Sequence, residues 1–266
     1  MKKKLLNFFK VFFVVVVVLF GLLYLFQEKM IFFPQKLAKD YKFNFNGNFE
    51  ELNITTRDSV VLNGLLFKSK KPKGLIFYLH GNGGSLAGWG SVANAYTDLN
   101  YDVFIIDYRG YGKSGGEING QEQVFSDIQM VYNKLLEKYD ESNIIVLGYS
   151  IGSGIAAKIA SVNNPKALIL QAPYYSLVDL MKHYYPVIPT FILKYKFETN
   201  KYVEQCNMPI YIFHGLQDNV IYYASSVKLK ERIKPTDTLI TLQEQGHNGI
   251  SDNPEYLMEL SKILAK

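Results

Sequence analysis

The stretch IIVLGYSIGSGIAAKIA, residues 144–160, joins a short apolar run to a helix-compatible run through Gly148-Tyr149-Ser150-Ile151-Gly152. A G-x-S-x-G turn between a strand and a helix holds the serine hydroxyl above the sheet and points the next backbone N–H at the reacting carbonyl oxygen. Glycine lets so sharp a turn close without a Cβ clash. The placement of the motif predicts Ser150 as a nucleophile. The alternative is a glycine-rich helix start that Ser150 merely caps.

The segments on both sides of this turn alternate between strand and helix patterns. Residues 49–56 and 60–67 alternate apolar and polar side chains around Arg57-Asp58-Ser59, which predicts an antiparallel hairpin. Apolar runs of strand length follow at residues 75–79, 103–106, 144–147, 167–170, 210–213 and 238–242. Apolar residues at helical spacing lie between them, for example over 121–138. Strands that alternate with helices predict an α/β fold, with a mainly parallel sheet covered by helices on both faces.

A serine hydroxyl is a poor nucleophile at neutral pH and needs a base within hydrogen-bond reach. Four histidines are present, and hydrolases with this serine turn carry their triad in the chain order serine, acid, histidine. That order excludes His80 and favours His247, which lies in the polar loop between the last strand and the terminal helix. His214 fits less well because it precedes any suitable acid, so a structural role near the active-site loops is expected for it.

The acid of such a triad keeps the imidazole in the correct tautomer and stabilises the imidazolium that forms. Asp218 follows the predicted strand at 210–213 closely, so its carboxylate starts from the same edge of the sheet as Ser150. Asp237 opens a strand at the opposite edge, and Asp252 is expected to be a first-turn helix charge. The sequence therefore predicts Asp218 as the acid.

His80-Gly81-Asn82-Gly83-Gly84 is a glycine-rich loop after the predicted strand at 75–79. Such a loop can bring a backbone N–H to the developing oxyanion, and one donor typically contributes about 3 to 4 kcal/mol of transition-state stabilisation. The predicted donors are the amides of Asn82 and Ile151. Glycine-rich loops also bind phosphates, but this one matches neither G-x-x-x-x-G-K-S/T nor G-x-G-x-x-G, and no cofactor is expected.

The N-terminus has the pattern of a membrane anchor. Three lysines precede an apolar stretch, and a helix over residues 5–26 would be about 33 Å long, enough to cross a hydrocarbon core of about 30 Å. The alternative is a cleaved secretory signal, for which no small-residue cleavage site follows the stretch. The N-terminal side carries Lys2, Lys3, Lys4 and Lys10 against Lys29, Lys36 and Lys39 after the span, and this bias predicts a cytoplasmic N-terminus and an extracytoplasmic catalytic domain.

Domain organisation and composition narrow the expected partners. Residues 1–29 are interpreted as the anchor, 30–42 as a connector and 43–266 as one folded domain. Within the connector, the apolar residues 30–34 are expected to lie at the membrane interface. The net charge of +5 is spread over mixed acidic and basic stretches, so nucleic acid is not an expected partner. The single cysteine, Cys206, can form no internal disulfide, and without a Cys/His cluster around it no metal site is expected.

Several motifs occur together in one known family. In chain order they are Phe33-Pro34-Gln35, His80-Gly81-Asn82-Gly83-Gly84, Asp107-Tyr108-Arg109-Gly110-Tyr111-Gly112-Lys113-Ser114, Gly148-Tyr149-Ser150-Ile151-Gly152, Ala172-Pro173, His214-Gly215 with Asp218, and Gly246-His247-Asn248. The sequence resembles the single-pass α/β-hydrolase-domain proteins, which include lysophospholipase-like and protein depalmitoylase-like members. The resemblance implies an α/β-hydrolase fold with a mainly parallel eight-stranded sheet, a short cap at about 174–207 and one preceding transmembrane helix. It also implies that 107–114 is a structural loop, so neither Asp107 nor Arg109 is assigned to catalysis.

The predicted residues define the type of reaction more closely than they define the substrate. The predicted triad implies hydrolysis through an acyl-enzyme, yet an ester, a thioester and an amide would all use the same groups. The anchor favours a small-molecule or lipid acyl substrate, and the aromatic residues of 174–207 either line an acyl-chain groove or simply pack. The sequence therefore predicts an acyl ester or thioester hydrolase. The alternatives are a serine peptidase or amidase and, from another class, a non-catalytic binding scaffold.

Overall fold

The computed structural model describes residues 2–265 as an N-terminal helix followed by one sheet with helices around it. The strands are β1 (Asn48–Thr55), β2 (Val61–Lys68), β3 (Leu75–Leu79), β4 (Asp102–Ile106), β5 (Ile144–Tyr149), β6 (Ala167–Gln171), β7 (Ile210–Gly215) and β8 (Thr238–Leu242). The helices are α1 (Lys2–Leu25), α2 (Gln27–Ile31), α3 (Leu86–Trp89), α4 (Asn94–Thr97), α5 (Gln121–Leu135), α6 (Ile151–Ser161), α7 (Leu177–Tyr184), α8 (Thr199–Val203), α9 (Ala224–Lys230) and α10 (Pro254–Leu264). Short 3-10 helices lie at Gly90–Ala93, Glu141–Asn143, Thr190–Ile192 and Ile250–Asp252.

The eight strands form one sheet in the order β1-β2-β4-β3-β5-β6-β7-β8. β2 is antiparallel to both of its neighbours, and every other neighbouring pair is parallel. The predicted hairpin is confirmed, with Thr55 paired to Val61 beside the turn. The predicted mainly parallel, eight-stranded sheet is likewise confirmed.

The central strands are buried on both faces because helices cover the sheet from both sides. Successive side chains of a strand point to opposite faces, and β3 shows this directly. Phe77 joins a core cluster with residues of α5 and α6, whereas Ile76 and Tyr78 join a second cluster with residues of α10. The predicted helix over 121–138 ends earlier, at Leu135, and the chain continues in turns up to the next 3-10 helix.

The N-terminal part has two sections with different surroundings. No residue of α1 is buried, and by length and composition α1 is the one helix within residues 2–265 that could cross a membrane. After α1 the chain lies against the sheet domain, and Gln27 and Phe32 are both only 5% exposed. Isolated bridges then pair Pro34 with Gly84 and Lys36 with Gly112. The segment predicted as a connector therefore runs along the loops of the domain.

Candidate active site

The predicted site residues all follow the carboxyl ends of parallel strands. Asn82 lies after β3, Ser150 directly after β5, Asp218 after β7 and His247 after β8. Loops that leave this edge of a parallel sheet meet in one crevice. The structure accordingly brings these residues to a single site, called the catalytic edge below.

The backbone at Ser150 is strained, with φ 52° and ψ −117°. Positive φ is unfavourable for a residue with a Cβ and persists only where the surroundings impose it. The amide of Ser150 donates to the carbonyl of Gln171 at 2.9 Å, which fixes the turn on β6. A Cβ on Gly152 would collide with the backbone carbonyl of Leu79 and lie 2.7 Å from that of His80. The glycine thus allows the turn to pack against the end of β3.

Ser150, His247 and Asp218 form a continuous chain of polar contacts. The Nε2 atom of His247 lies 3.0 Å from Ser150 Oγ, and its Nδ1 atom lies 2.7 Å from Asp218 Oδ2. The carboxylate can only accept, so Nδ1 carries the proton and Nε2 is left to accept from the serine hydroxyl. The Ser150 side chain makes no capping hydrogen bond to α6, which argues against the alternative that Ser150 only caps this helix. The geometry is that of a nucleophile, a base and an orienting acid.

Asp218 is buried and surrounded by donors. The amides of Val220 and Ile221 each donate to its Oδ1 at 2.8 Å. Burial would raise the pKa of this carboxyl, but the hydrogen bonds from His214, His247 and the Ile221 amide lower it, and the net result is a pKa well below the usual range. The carboxylate therefore stays ionised and can stabilise a positive imidazole.

His214 contacts the acid, a role that the order of residues along the chain did not suggest. Its Nε2 atom lies 3.1 Å from Asp218 Oδ2 and 2.9 Å from the carbonyl of Ile221, while its Nδ1 atom lies 2.6 Å from Ser226 Oγ. Both neighbours of Nε2 are acceptors, so that nitrogen carries a proton. The expected structural role is thus a specific one: His214 holds Asp218. The spacing of four residues across the turn after β7 is the sequence signal that could have indicated it.

The glycine-rich loop is held through the side chain of Asn82. Its Oδ1 accepts from the amides of Phe33 and Gly83 at 3.0 and 2.9 Å, and its Nδ2 donates to the carbonyl of Ile31. Within residues 2–265, the backbone amides of Asn82 and Ile151 have no hydrogen-bond acceptor. Both residues line the same cavity as Ser150. Both amides are thus free to donate, and their oxyanion role stays a prediction.

The remaining candidates lie outside the polar chain. His80 is fully buried beneath Tyr108, whose hydroxyl donates to the His80 carbonyl at 2.9 Å. Arg109 forms ion pairs with Asp127 at 2.5 Å and Asp58 at 2.7 Å. The hydrogen bonds to these two carboxylates raise the pKa of Arg109, which stays charged. These contacts are structural, in line with the expectation for segment 107–114. Among residues 2–265 there is no cluster of three side chains that could hold a metal ion.

A cavity of about 760 Å³ opens above Ser150. The catalytic edge lines it with Gly81, Asn82, Tyr149, Ser150, Ile151 and His247. Segment 174–207 lines it with Leu177, Leu180, Met181, Tyr184, Tyr185, Ile188, Ile192 and Leu193, together with Tyr174. The N-terminal helices line it with Leu23, Gln27, Met30 and Ile31, called the N-terminal wall below. Among the aromatic residues of 174–207, Tyr184 and Tyr185 line the cavity while Tyr195 and Phe197 are buried in the core, and the acyl-chain groove stays a prediction.

Comparison with known proteins finds relatives that are similar in sequence and solved structures that are similar in fold. Protein bem46 of Schizosaccharomyces pombe is 28% identical over 224 residues, which cover 78% of this chain and 75% of that protein. Human alpha/beta hydrolase domain-containing protein 17B is 26% identical over 204 residues, covering 74% of this chain and 68% of that protein. A solved esterase from Pyrococcus furiosus superposes with a TM-score of 0.69 at 20% identity, covering 88% of this chain and 97% of that one. This structural likeness shows the fold.

A family model described as "Serine aminopeptidase, S33" matches residues 70–202, half of the chain. The matched part includes the glycine-rich loop, segment 107–114 and the serine turn. The resemblance and the fold predicted from the sequence are thereby confirmed. The chain belongs to the α/β-hydrolase family.

Proposed function

We propose that this protein is a membrane-anchored serine hydrolase that cleaves an acyl ester or thioester through an acyl-enzyme on Ser150. The observation that carries the proposal is the chain of contacts from Ser150 Oγ through His247 to Asp218, at 3.0 and 2.7 Å, at the base of an apolar cavity. A serine beside a base that is itself oriented by a third group is the arrangement of an activated nucleophile.

The proposed reaction has two halves. His247 Nε2 accepts the hydroxyl proton as Ser150 Oγ attacks the carbonyl carbon, and the resulting oxyanion accepts hydrogen bonds from the amides of Asn82 and Ile151. The tetrahedral intermediate then expels the alcohol or thiol, which takes the proton from Nε2. Water then attacks the acyl-enzyme and gives a proton to His247, which returns that proton to Ser150 Oγ as the acyl–oxygen bond breaks and the carboxylic acid leaves. Throughout, the Asp218 carboxylate accepts from Nδ1 and stabilises the imidazolium.

The lining of the cavity favours an acyl substrate over a peptide with a free amino terminus. In the part of the chain that the structure describes, no Asp, Glu, Lys or Arg lines this cavity. An α-ammonium group brought into such a site would lose water without gaining an anionic partner, which is costly. The carboxylate that contacts His247, that of Asp218, already accepts from two histidines and two backbone amides. These features support an ester or thioester rather than an aminopeptidase substrate.

The proposal also includes the location of the protein. α1 is the candidate span, with four lysines in residues 2–10 at its N-terminal end and three in residues 26–40 after it. This bias supports a single-pass anchor with a cytoplasmic N-terminus. Protease added to cells with a permeable outer layer should then digest the catalytic domain. Full protection of the domain, or a mature N-terminus after residue 26, would contradict this topology.

The proposed chemistry is tested with a panel of matched substrates on the full chain in detergent. The panel comprises p-nitrophenyl esters, an acyl thioester of the same acyl group and an aminoacyl p-nitroanilide, each measured with wild type and with Ser150→Ala. We expect hydrolysis of the ester and thioester by wild type and none by the variant. A preference for the anilide, or an active Ser150→Ala protein, would overturn the proposal.

A further inference from the structure

The N-terminal wall brings residues of the candidate span to the proposed catalytic site. Leu23 belongs to the last turns of α1, and Met30 and Ile31 end α2. All three line the cavity that contains Ser150 and His247. The apolar helix that could cross a membrane thus reaches the cavity directly.

Helix α2 is fixed to segment 174–207 by a buried polar side chain. Gln27 is 5% exposed, its Nε2 donates to the carbonyl of Ile192 at 2.6 Å, and its Oε1 accepts from the amide of Lys194 at 2.9 Å. Next to it, Glu28 accepts from Lys194 Nζ at 3.2 Å and from the Tyr195 hydroxyl at 3.0 Å. Separating these groups would leave buried donors and acceptors unpaired. The wall is therefore held in one place against segment 174–207.

The same helix is fixed to the glycine-rich loop on its other side. The carbonyl of Ile31 and the amide of Phe33 bond the Asn82 side chain, whose backbone amide is a proposed oxyanion donor. Phe32, between them, is buried and packs edge-on against Tyr195 with ring centroids 5.3 Å apart. Helix α2 consequently bridges the catalytic edge and segment 174–207, so an acyl chain that extends from Ser150 into the cavity would lie beside this helix.

We propose that Leu23, Met30 and Ile31 are specificity-determining residues that favour substrates with long acyl chains, so that the anchor region forms part of the substrate site as well as a tether. This inference rests on the proposed function. Each methylene taken from water into apolar surroundings favours binding by about fourfold. Contact along several methylenes therefore gives the wall a large effect on kcat/KM for a long chain and a small one for a short chain.

The test compares two exposed methionines in the full chain. Met30 is 57% exposed at the mouth of the cavity, and Met258 is 51% exposed on α10, away from it. We expect Met30→Trp, which narrows the cavity, to lower the ratio of kcat/KM for p-nitrophenyl palmitate to that for the butyrate by about tenfold or more. Met258→Trp should leave the ratio at the wild-type value. Equal ratios in the two variants would overturn the inference.

A second variant covers the case in which Met30→Trp does not fold, as judged by loss of fluorophosphonate labelling. Met30→Ala should then lower the same ratio by about threefold, because it removes contact with the chain, and an unchanged ratio would overturn the inference. Failure of the proposed function is distinguishable. In that case wild type itself hydrolyses neither ester and takes no label, whereas failure of this inference leaves an active, labelled protein whose chain preference ignores Met30.

Discussion

The catalytic edge and the far side of the cavity, formed by the N-terminal wall and segment 174–207, are held by different means. At the edge, each functional side chain follows a strand of the buried sheet, and Ser150 is 7% exposed. Across the cavity, α7 has no buried residue, and Val187 and Phe191 are 88% and 82% exposed. The edge is positioned by the strands of the sheet, whereas the far side is positioned by the bonds of Gln27 and by the packing of Phe32 against Tyr195. Changes at the edge should therefore slow every substrate alike, whereas changes across the cavity should reorder substrates.

The largest effect is expected from removing the nucleophile or its base. Ser150→Ala and His247→Ala should each lower kcat by about 10⁶-fold, and the double variant should be scarcely worse, because such residues act as one unit. The loss should be the same for butyrate and palmitate esters. Steady-state kinetics of the three purified variants provides the check. Losses that multiply in the double variant would mean that the two residues act independently.

Asp218→Asn should come next, with kcat lowered by about 10⁴-fold at every chain length, because the amide favours the wrong imidazole tautomer. The ratio of palmitate to butyrate kcat/KM should stay at the wild-type value. The same ester assays give kcat and this ratio, and thermal unfolding of the variant is the control for folding. Activity near that of wild type would show that another acid orients His247.

Substitution of His214 should lower kcat less than the changes above, and by the same factor for short and long acyl chains. His214→Phe removes the donor that lies 3.1 Å from Asp218 Oδ2, and a hydrogen bond to a charged group contributes about 1.5–3 kcal/mol. We expect kcat to fall by about tenfold with KM little changed, and His214→Gln, which retains a donor, to recover part of the loss. If His214→Gln is as impaired as His214→Phe, packing rather than the hydrogen bond is responsible.

Arg109→Leu should lower stability without changing the kinetics of ester hydrolysis. The ion pairs of Arg109 thus form a third region, separate from both sides of the cavity. It breaks a buried ion pair with Asp127, and we expect a loss of about 3 kcal/mol in the free energy of unfolding. Asp58 adds little because it is 58% exposed and water screens its charge. Denaturant unfolding measures the loss, and ester kinetics well below the transition should match wild type. A shift in chain preference would connect Arg109 to the cavity.

The sequence predicted the sheet and the cluster at its edge because both leave local patterns. The serine turn directly follows an apolar strand, and Asp218 and His247 follow the last two strands in the order that this fold requires. The contact of His214 with Asp218 was not predicted, because chain order argued only against His214 as a base and the four-residue spacing to Asp218 was its one local signal.

The N-terminal wall was not predicted because an apolar stretch has the same composition whether it faces lipid or protein. Residues 30–34 were interpreted as an interface segment, yet Phe32 lies in the core. The polar pair Gln27 and Glu28 directly after the span was the available signal. Polar groups at that position need partners, and in the folded chain segment 174–207 supplies them.

The central claim is that Ser150 is the nucleophile, and covalent trapping tests it most directly. A fluorophosphonate loses fluoride to an activated serine and leaves a stable phosphonyl ester on its Oγ. Peptide mapping by mass spectrometry of the full chain, labelled in its membrane, should find one adduct, on Ser150, and none in Ser150→Ala. An adduct on another residue, or equal labelling of the two proteins, would contradict the account.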